Sequence, residues 1–500
     1  MASVIHKPLL LASRVLIIIS ALIAARLIAI GISPLDLSVD EAQYWLWSQN
    51  PSAGYFTKPP MIAWVIGVGT ALAGSAEYGV RLMAPLLHGV TALVLWQLAA
   101  RLFHPMAGRI AALGWITLPA TGLGSFIIST DTPLLLFTST MLLVLSPLAH
   151  GRSPGLFGFL LAGIMLGLGF LSKYAAIFSL MGIIIFWIVQ PRDKASLGLK
   201  DIAVIILAAL IVISPNLIWN FHHGFSTIKH LGDNANIDQS QLAFGLSLVA
   251  ASLASGFSFL LAQFGVIGPV VMLGVLIAVK TTDGLRHRFL LGFILPPLVI
   301  ITIQAMISEA NANWAVLAWP PALVMLAGWC CDKEGRIRKP FWLTAMAVSN
   351  GFLAVVIWLV SLTGHLGVLT PSSDPLRHLR GWDSHHAALL AVITEHPVNT
   401  IITDRRGSAA LMTHALRDQD ISVTIIDADG VPSNHFEASH PYLSMGKGDP
   451  VILMTEANTP PAIPKVRWIK SIGESRIKIS HNRNRHFIFY LGIEETSKSP

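Results

Sequence analysis

Apolar runs of about 20 residues recur along the first three quarters of this 500-residue chain. As a helix, a run of that length crosses the roughly 30 Å hydrocarbon core of a bilayer. Inside hydrocarbon every backbone polar group must be bonded internally, which admits only helices and closed barrels. These runs are too long and too uniformly apolar for the alternating, roughly ten-residue strands of a barrel. An all-α polytopic membrane protein is therefore expected. Composition agrees: 53% of residues are hydrophobic and 12% charged, with a mean hydropathy of +0.64, whereas soluble domains carry about 25% charged residues.

The runs place spans at 9–31, 78–103, 109–128, 133–149, 155–171, 174–190, 199–217, 263–280, 289–307, 314–331 and 341–361, about eleven in all. Two further stretches, 59–74 and 241–258, are apolar but contain Gly, Pro or Ser and lack charged anchors; they read as interfacial or re-entrant helices. The first run follows His6 and Lys7 but is long for a signal peptide and has no cleavage site after it, so it reads as an uncleaved first span. Lys7, Arg101, Arg109, Arg152, Arg192, Lys194, Lys200, Lys280, Arg286, Arg288, Lys333, Arg336, Arg338 and Lys339 then fall in the loops of one side. That is the positive-inside pattern, with the N-terminus cytoplasmic and, for an odd number of spans, the C-terminus outside. It accounts for the net charge of +7. No basic tail with interleaved aromatics accompanies that charge, so nucleic acid is not an expected partner. Cys330 and Cys331 adjoin at the end of an apolar run, and the polar C-terminal part has no cysteine with which to form a disulfide of its own.

Residues 362–500 change character. "VNTIITDR", "ISVTIIDA", "DPVILMTEA" and "RHFIFYLGI" read as strands, and "RGSAALMTHALRDQD" between the first two reads as a helix. The expected organisation is a membrane domain over 1–361, with its first outer loop at 32–77, followed by a small soluble α/β domain over 362–500 on the outer side.

With this topology the polar residues that are unusual in a membrane protein gather on the outer side. They are Asp40, Glu41 and Lys58 in "DEAQYWLWSQNPSAGYFTKPP", Asp131 in "STDTP", Lys173 and Tyr174 in "LSKY", Asn216, Asn220, His222 and His223 in "PNLIWNFHHGF", and Glu309, Asn311 and Asn313 in "SEANANW". Each has an ordinary reading as well. Acids favour helix N-termini, lysines snorkel, and tryptophans such as Trp45, Trp47 and Trp64 form interfacial belts. The adjacent His222 and His223 point different ways, which disfavours a metal site built from them. Arg26 lies inside the first span, either buried against a partner or facing a polar cavity. What sets the cluster apart is that five outer loops each supply such groups.

At these residues the sequence resembles the GT-C membrane glycosyltransferases of the protein-mannosyltransferase-like group, whose bacterial members include aminoarabinose transferases and the galacturonosyltransferases of lipopolysaccharide. "DEAQYWLW" with "YFTKPPMIAW" resembles the family's first outer loop. "GVRLMAPLLHG", "STDTPLLLF", "LGLGFLSKYAA", "PNLIWNFHHGF" and "NANWAVLAWPPA" follow in family order, covering roughly residues 10–330. The resemblance implies a GT-C fold and a glycosyltransferase that takes its sugar from a polyprenyl phosphate, not a nucleotide, and passes it to an envelope acceptor (lipid A or other lipopolysaccharide, another glycan, or a protein) at the periplasmic face of the bacterial inner membrane.

The roles it implies follow the chemistry. A fixed cation holds the departing lipid phosphate, and Lys58 matches the family lysine, with Tyr55 and Lys173 placed beside the donor phosphate or lipid. A carboxylate activates the acceptor hydroxyl, or orients an acceptor that is already anionic; Asp40 matches the family aspartate, and Glu41 and Asp131 are the further catalytic carboxylates. Tyr44, Asn220, His223, Glu309 and Asn313 are assigned to the acceptor or sugar. Thr57 stands where aminoarabinose transferases typically carry an acid before the lysine. No metal ligands or cofactor are therefore assigned, although a divalent ion stays open. The competing expectation is a lipid or sugar transporter or flippase, which would place its charges or broken helices nearer the bilayer midplane.

Overall fold

Hydrocarbon length sets most of the element pattern. The computed structural model describes residues 2–194, 196–225, 246–308, 310–364, 375–427, 429–444, 447–480 and 483–495. Among them seven helices are long and apolar enough to cross a membrane: Ser13–Ile32, Glu77–Leu102, Asp131–His150, Gly155–Ser172, Leu199–His222, Leu285–Ile307 and Pro340–Thr363. Each coincides with an expected run.

Elsewhere the elements differ from the expected spans, for local reasons. The run 109–128 is split into Pro105–Thr117 and Pro119–Gly124. Pro119 has no N–H to continue the helix, and Leu118 before it is extended, at φ −59° and ψ 141°. The runs 174–190 and 314–331 are 3-10 turns, Tyr174–Ala176 and Ala312–Ala318, leading into the short helices Ile177–Val189 and Trp319–Trp329. The expected break between a re-entrant 241–258 and a span at 263–280 is displaced. One helix, Leu246–Ile267, runs through it, and the chain then turns by 111° into Pro269–Thr281. Gly268, at φ +88° and followed by Pro269, makes that corner. Counted as one span, this bent pair brings the total to eight.

The chain divides into two compact units. The larger holds Met1–Ala29, Lys58–Val65 and Arg81–Leu359. Small residues bring its helices together. A Cβ on Gly163 would lie 2.4 Å from the Ile205 carbonyl oxygen, and one on Gly167 2.6 Å from Val212 Cβ. Four residues apart, these glycines share one face of Gly155–Ser172 and let Leu199–His222 approach backbone to backbone. Within the latter helix Pro215 cannot donate to the Ile211 carbonyl, and Ser214 Oγ does so at 2.8 Å. Arg26 is buried against protein. Its guanidinium donates to Ser125 Oγ at 3.0 Å and to the Ile116 carbonyl.

The second unit holds Ile30–Thr57, Ile66–Val80 and Val360–Pro500. Its five-stranded sheet has the order β2-β1-β3-β5-β4, with β1 at Thr400–Thr403, β2 at Ser422–Ile425, β3 at Pro450–Thr455, β4 at Val466–Ser480 and β5 at Arg483–Glu494. β1 pairs in parallel with β2 and β3, while β5 runs antiparallel to both β3 and β4. The helix Arg406–Ala415 connects β1 to β2, and Ile402, Val451, Leu453, Ile463 and Tyr490 form a core on the sheet. Four strands and that helix match the expected segments. β4 was not expected, because its register shifts at Trp468/Lys470, Ser471/Gly473 and Lys478/Ser480 scramble the alternation that marks a strand.

Segments from the first hundred residues are built into this unit. The Asp36 N–H donates to the Leu379 carbonyl at 3.0 Å, and Asp36 Oδ2 accepts the Trp382 N–H at 2.7 Å. An acid 346 residues away in sequence thus caps the helix Trp382–Glu395. Burial pushes the Asp36 carboxyl up to about 6, with Asp383 and Glu77 adding to the rise against the Trp382 N–H. Asp36, Glu77, Asp383, His386 and His414 line a cavity of about 280 Å³. A carboxyl whose folded pKa is raised stabilises the fold when protonated, and that contribution disappears as pH rises through about 6. Asp36→Asn, which keeps an oxygen for Trp382, should therefore raise the thermal midpoint of the detergent-solubilised chain at pH 8 and lose most of that advantage at pH 4. A pH-independent difference would contradict this.

Candidate active site

Within the membrane unit three expected outer loops meet. Asp131 opens the helix Asp131–Leu145 and is 8% exposed. Lys173 ends Gly155–Ser172 in an extended conformation, φ −161° and ψ 136°, which turns its side chain out of the helical path. Lys173 Nζ lies 2.8 Å from Asp131 Oδ1. Asn313, in the 3-10 turn Ala312–Ala318, donates Nδ2 to Asp131 Oδ2 at 2.9 Å. Both carboxylate oxygens are satisfied by side chains from elsewhere in the chain. An ammonium has three donors, so Lys173 retains capacity for an anion.

A second polar group adjoins this one in sequence through Tyr174. The Tyr174 hydroxyl donates to Asn216 Oδ1 at 2.9 Å, and Asn220 Nδ2 donates to the Asn216 carbonyl at 3.0 Å and to the Tyr174 hydroxyl at 3.3 Å. Asn216 and Asn220 occupy successive turns of Leu199–His222, both buried, and Asn220 Oδ1 is enclosed with no hydrogen-bond partner among the described residues. Lys58, half-buried, precedes Pro59–Pro60 and the 13-residue apolar helix Met61–Ala73. At about 1.5 Å per residue that helix is roughly 20 Å long, short of a full crossing. His223 stays at its own helix end, exposed, with its ring stacked 4.0 Å from Trp219 and Nδ1 at 2.8 Å from the Trp219 carbonyl. Glu309 lies outside the described residues.

The remaining predicted residues belong to the second unit, on or just after the helix Val39–Gln49. Ser38 and Glu41 form a reciprocal capping box, with Glu41 fully buried and its Oε2 on the Ser38 N–H at 2.9 Å. Tyr44 is buried against Trp47, and Tyr55 stacks on Trp47 at 4.6 Å. The Tyr55 hydroxyl donates to the Trp47 carbonyl at 2.8 Å and accepts the Ser52 N–H at 3.1 Å. Burial pushes its phenol up, the Ser52 N–H opposing. Asp40, by contrast, is exposed, and its Oδ1 lies 2.9 Å from Arg406 Nη2. Arg406 went unassigned in the sequence because 366 residues separate it from Asp40. Among the described residues no group of three or more His, Cys, Asp or Glu side chains is arranged to hold a metal ion.

Residues 57–219 match the dolichyl-phosphate-mannose-protein mannosyltransferase family. The chain is 35% identical over 422 residues to the lipid A galacturonosyltransferase RgtD of Rhizobium johnstonii, covering 82% of this chain and 84% of that one. The chain belongs to this GT-C glycosyltransferase family. It is therefore a multi-pass membrane glycosyltransferase. It is also 26% identical over 376 residues to a lipopolysaccharide core galacturonosyltransferase, RgtB, of the same organism, covering 71% of this chain and 74% of that one. The fold is that of ArnT from Cupriavidus metallidurans, in the crystal structure bound to undecaprenyl phosphate, with a TM-score of 0.62 at 15% identity over 96% of this chain and 98% of that one.

Within this glycosyltransferase the Asp131–Lys173 pair has a thermodynamic signature. Lys173→Met leaves a mostly buried carboxylate unpaired and should destabilise the membrane unit by roughly 3 kcal/mol. Asp131→Asn together with Lys173→Met should recover most of that loss in thermal unfolding while sugar transfer stays abolished. A double variant that transfers sugar at the wild-type rate would make the pair purely structural.

Proposed function

We propose that the chain moves galacturonic acid from a polyprenyl-phosphate carrier onto lipid A, or another part of lipopolysaccharide, at the outer face of the inner membrane, with its N-terminus cytoplasmic and its C-terminal α/β domain periplasmic. The observation that carries this is the 35% identity over most of both chains to a lipid A galacturonosyltransferase. The excess of Lys and Arg in the opposite short loops supports the orientation.

In the proposed reaction the bond between sugar C1 and the phosphate oxygen breaks, and the carrier phosphate leaves with the electron pair. Lys58 holds that anion; a fixed cation stabilises charge that develops only as the bond opens. The acceptor hydroxyl oxygen bonds to C1, and Asp40 accepts its proton, a contribution of roughly 10²- to 10⁴-fold. Asp131, held by Lys173 and Asn313, and the Tyr174–Asn216–Asn220 group bind the sugar or acceptor, with the uronate carboxylate a partner for Lys173. Glu41 and Tyr55 support this by shaping the helix that presents Asp40, since their polar atoms bond within it and the loop after it.

Mass spectrometry of lipid A and core oligosaccharide from a deletion strain should show the loss of one hexuronic acid, restored by the wild-type gene. Lys58→Ala and Asp40→Asn should each fail to restore it, with rates at least about 100-fold down at unchanged membrane levels. An unchanged lipopolysaccharide profile in the deletion strain would overturn the acceptor assignment, and restoration by Asp40→Asn would remove Asp40 from the chemistry.

A further inference from the structure

β1 is the strand at which the parallel order reverses, with β2 on one side and β3 on the other. The carboxyl ends of strands at such a point are where open α/β sheets commonly hold ligands. Here three consecutive residues follow β1. Asp404 Oδ2 accepts a hydrogen bond from Thr455 Oγ1 at the end of β3, and Arg405 Nη1 pairs with Glu456 Oε2 at 2.9 Å. Both are thus engaged with the end of β3. The third, Arg406, turns to the helix Val39–Gln49, giving Nη2 to Asp40 Oδ1 at 2.9 Å and Nη1 to Gln43 Oε1 at 3.2 Å.

Asp40 and Gln43, three residues apart, share one helix face. Gln43 is 1% exposed and anchors one arm of the guanidinium, while the Asp40 side chain is 56% exposed. Among the described residues Asp40 Oδ2 has no hydrogen-bond donor, so the second oxygen stays open for an incoming proton. Gly407 permits the approach: a Cβ there would lie 3.3 Å from Val39 Cγ2. An exposed ion pair of this kind contributes about 0–1 kcal/mol to stability.

We propose that Arg406 is a positioning residue for sugar transfer. By bridging one oxygen of Asp40 to the buried amide oxygen of Gln43, it aims the other at the acceptor, and so makes the α/β domain a working part of the transferase. The inference rests on the reading of Asp40 as the group that handles the acceptor proton. A merely structural Arg406 would leave the transfer rate alone.

The test measures the initial rate of hexuronic acid incorporation into lipid A in membranes carrying full-length variants at matched levels. Arg406→Ala and Arg406→Gln should each be at least tenfold slower than wild type, and Arg406→Lys should recover to within about threefold. In an Asp40→Asn background, Arg406→Ala should slow the residual rate no further, because residues acting through one group are non-additive. Wild-type rates for Arg406→Ala and Arg406→Gln, with Asp40→Asn inactive, would overturn this inference and leave the reading of Asp40 intact. The same fold-loss in both backgrounds would also overturn it. A wild-type rate for Asp40→Asn would instead bring down the reading of Asp40, and this inference with it.

Discussion

A carboxylate close to hydrocarbon must find partners, and Asp131 finds two, Lys173 and Asn313. Apolar helix faces slide past one another at small cost, whereas an unpaired buried charge does not. The contact therefore ties together the start of one span, the end of another and the turn after a third. In doing so it collects a cation, a carboxylate and an amide in one place. The Tyr174–Asn216–Asn220 group extends the same logic by one residue along the chain. Close packing at Gly163 and Gly167 brings the helix bearing Asn216 and Asn220 against the helix that ends at Lys173.

The second unit handles its charges differently. Glu41 is engaged in a capping box and Tyr55 in the loop after it, within the segment that carries Asp40. Asp40 itself is left exposed with a single guanidinium on one oxygen. The buried acid, Asp131, and the exposed acid, Asp40, are thus suited to different tasks. The first holds neighbouring groups in place, and the second lies exposed beside Arg406.

Much of the membrane unit was legible because a bilayer imposes a length on any apolar run, and seven of the expected runs are continuous helices. The failures are local. Pro119 and the 3-10 turns at Tyr174–Ala176 and Ala312–Ala318 divide runs that hydropathy alone joins. Gly268–Pro269 was a visible signal for the corner that displaced the expected break. In the candidate site, Asp131, Lys173 and Asn313 were each named from the polarity of their loops, but their mutual contact follows from tertiary geometry. The "SVDE" pattern held the capping box that occupies Glu41, yet a carboxylate beside Asp40 reads equally well as chemistry. Arg406 carried no local signal, and neither did the irregular strand β4.

The central claim is that the end of the membrane unit bearing Asp131, Lys173 and Asn313 faces the outside of the inner membrane and works there. The most direct measurement is labelling of single cysteines in intact cells by a membrane-impermeant maleimide that crosses the outer membrane, with the buried Cys330 and Cys331 replaced by alanine. The two reporter sites, Asn311 and Lys333, are both exposed. Asn311→Cys should label without lysis, and Lys333→Cys only after the inner membrane is opened. Labelling of Lys333→Cys in intact cells, with Asn311→Cys protected until lysis, would put the cluster on the cytoplasmic side and contradict the account.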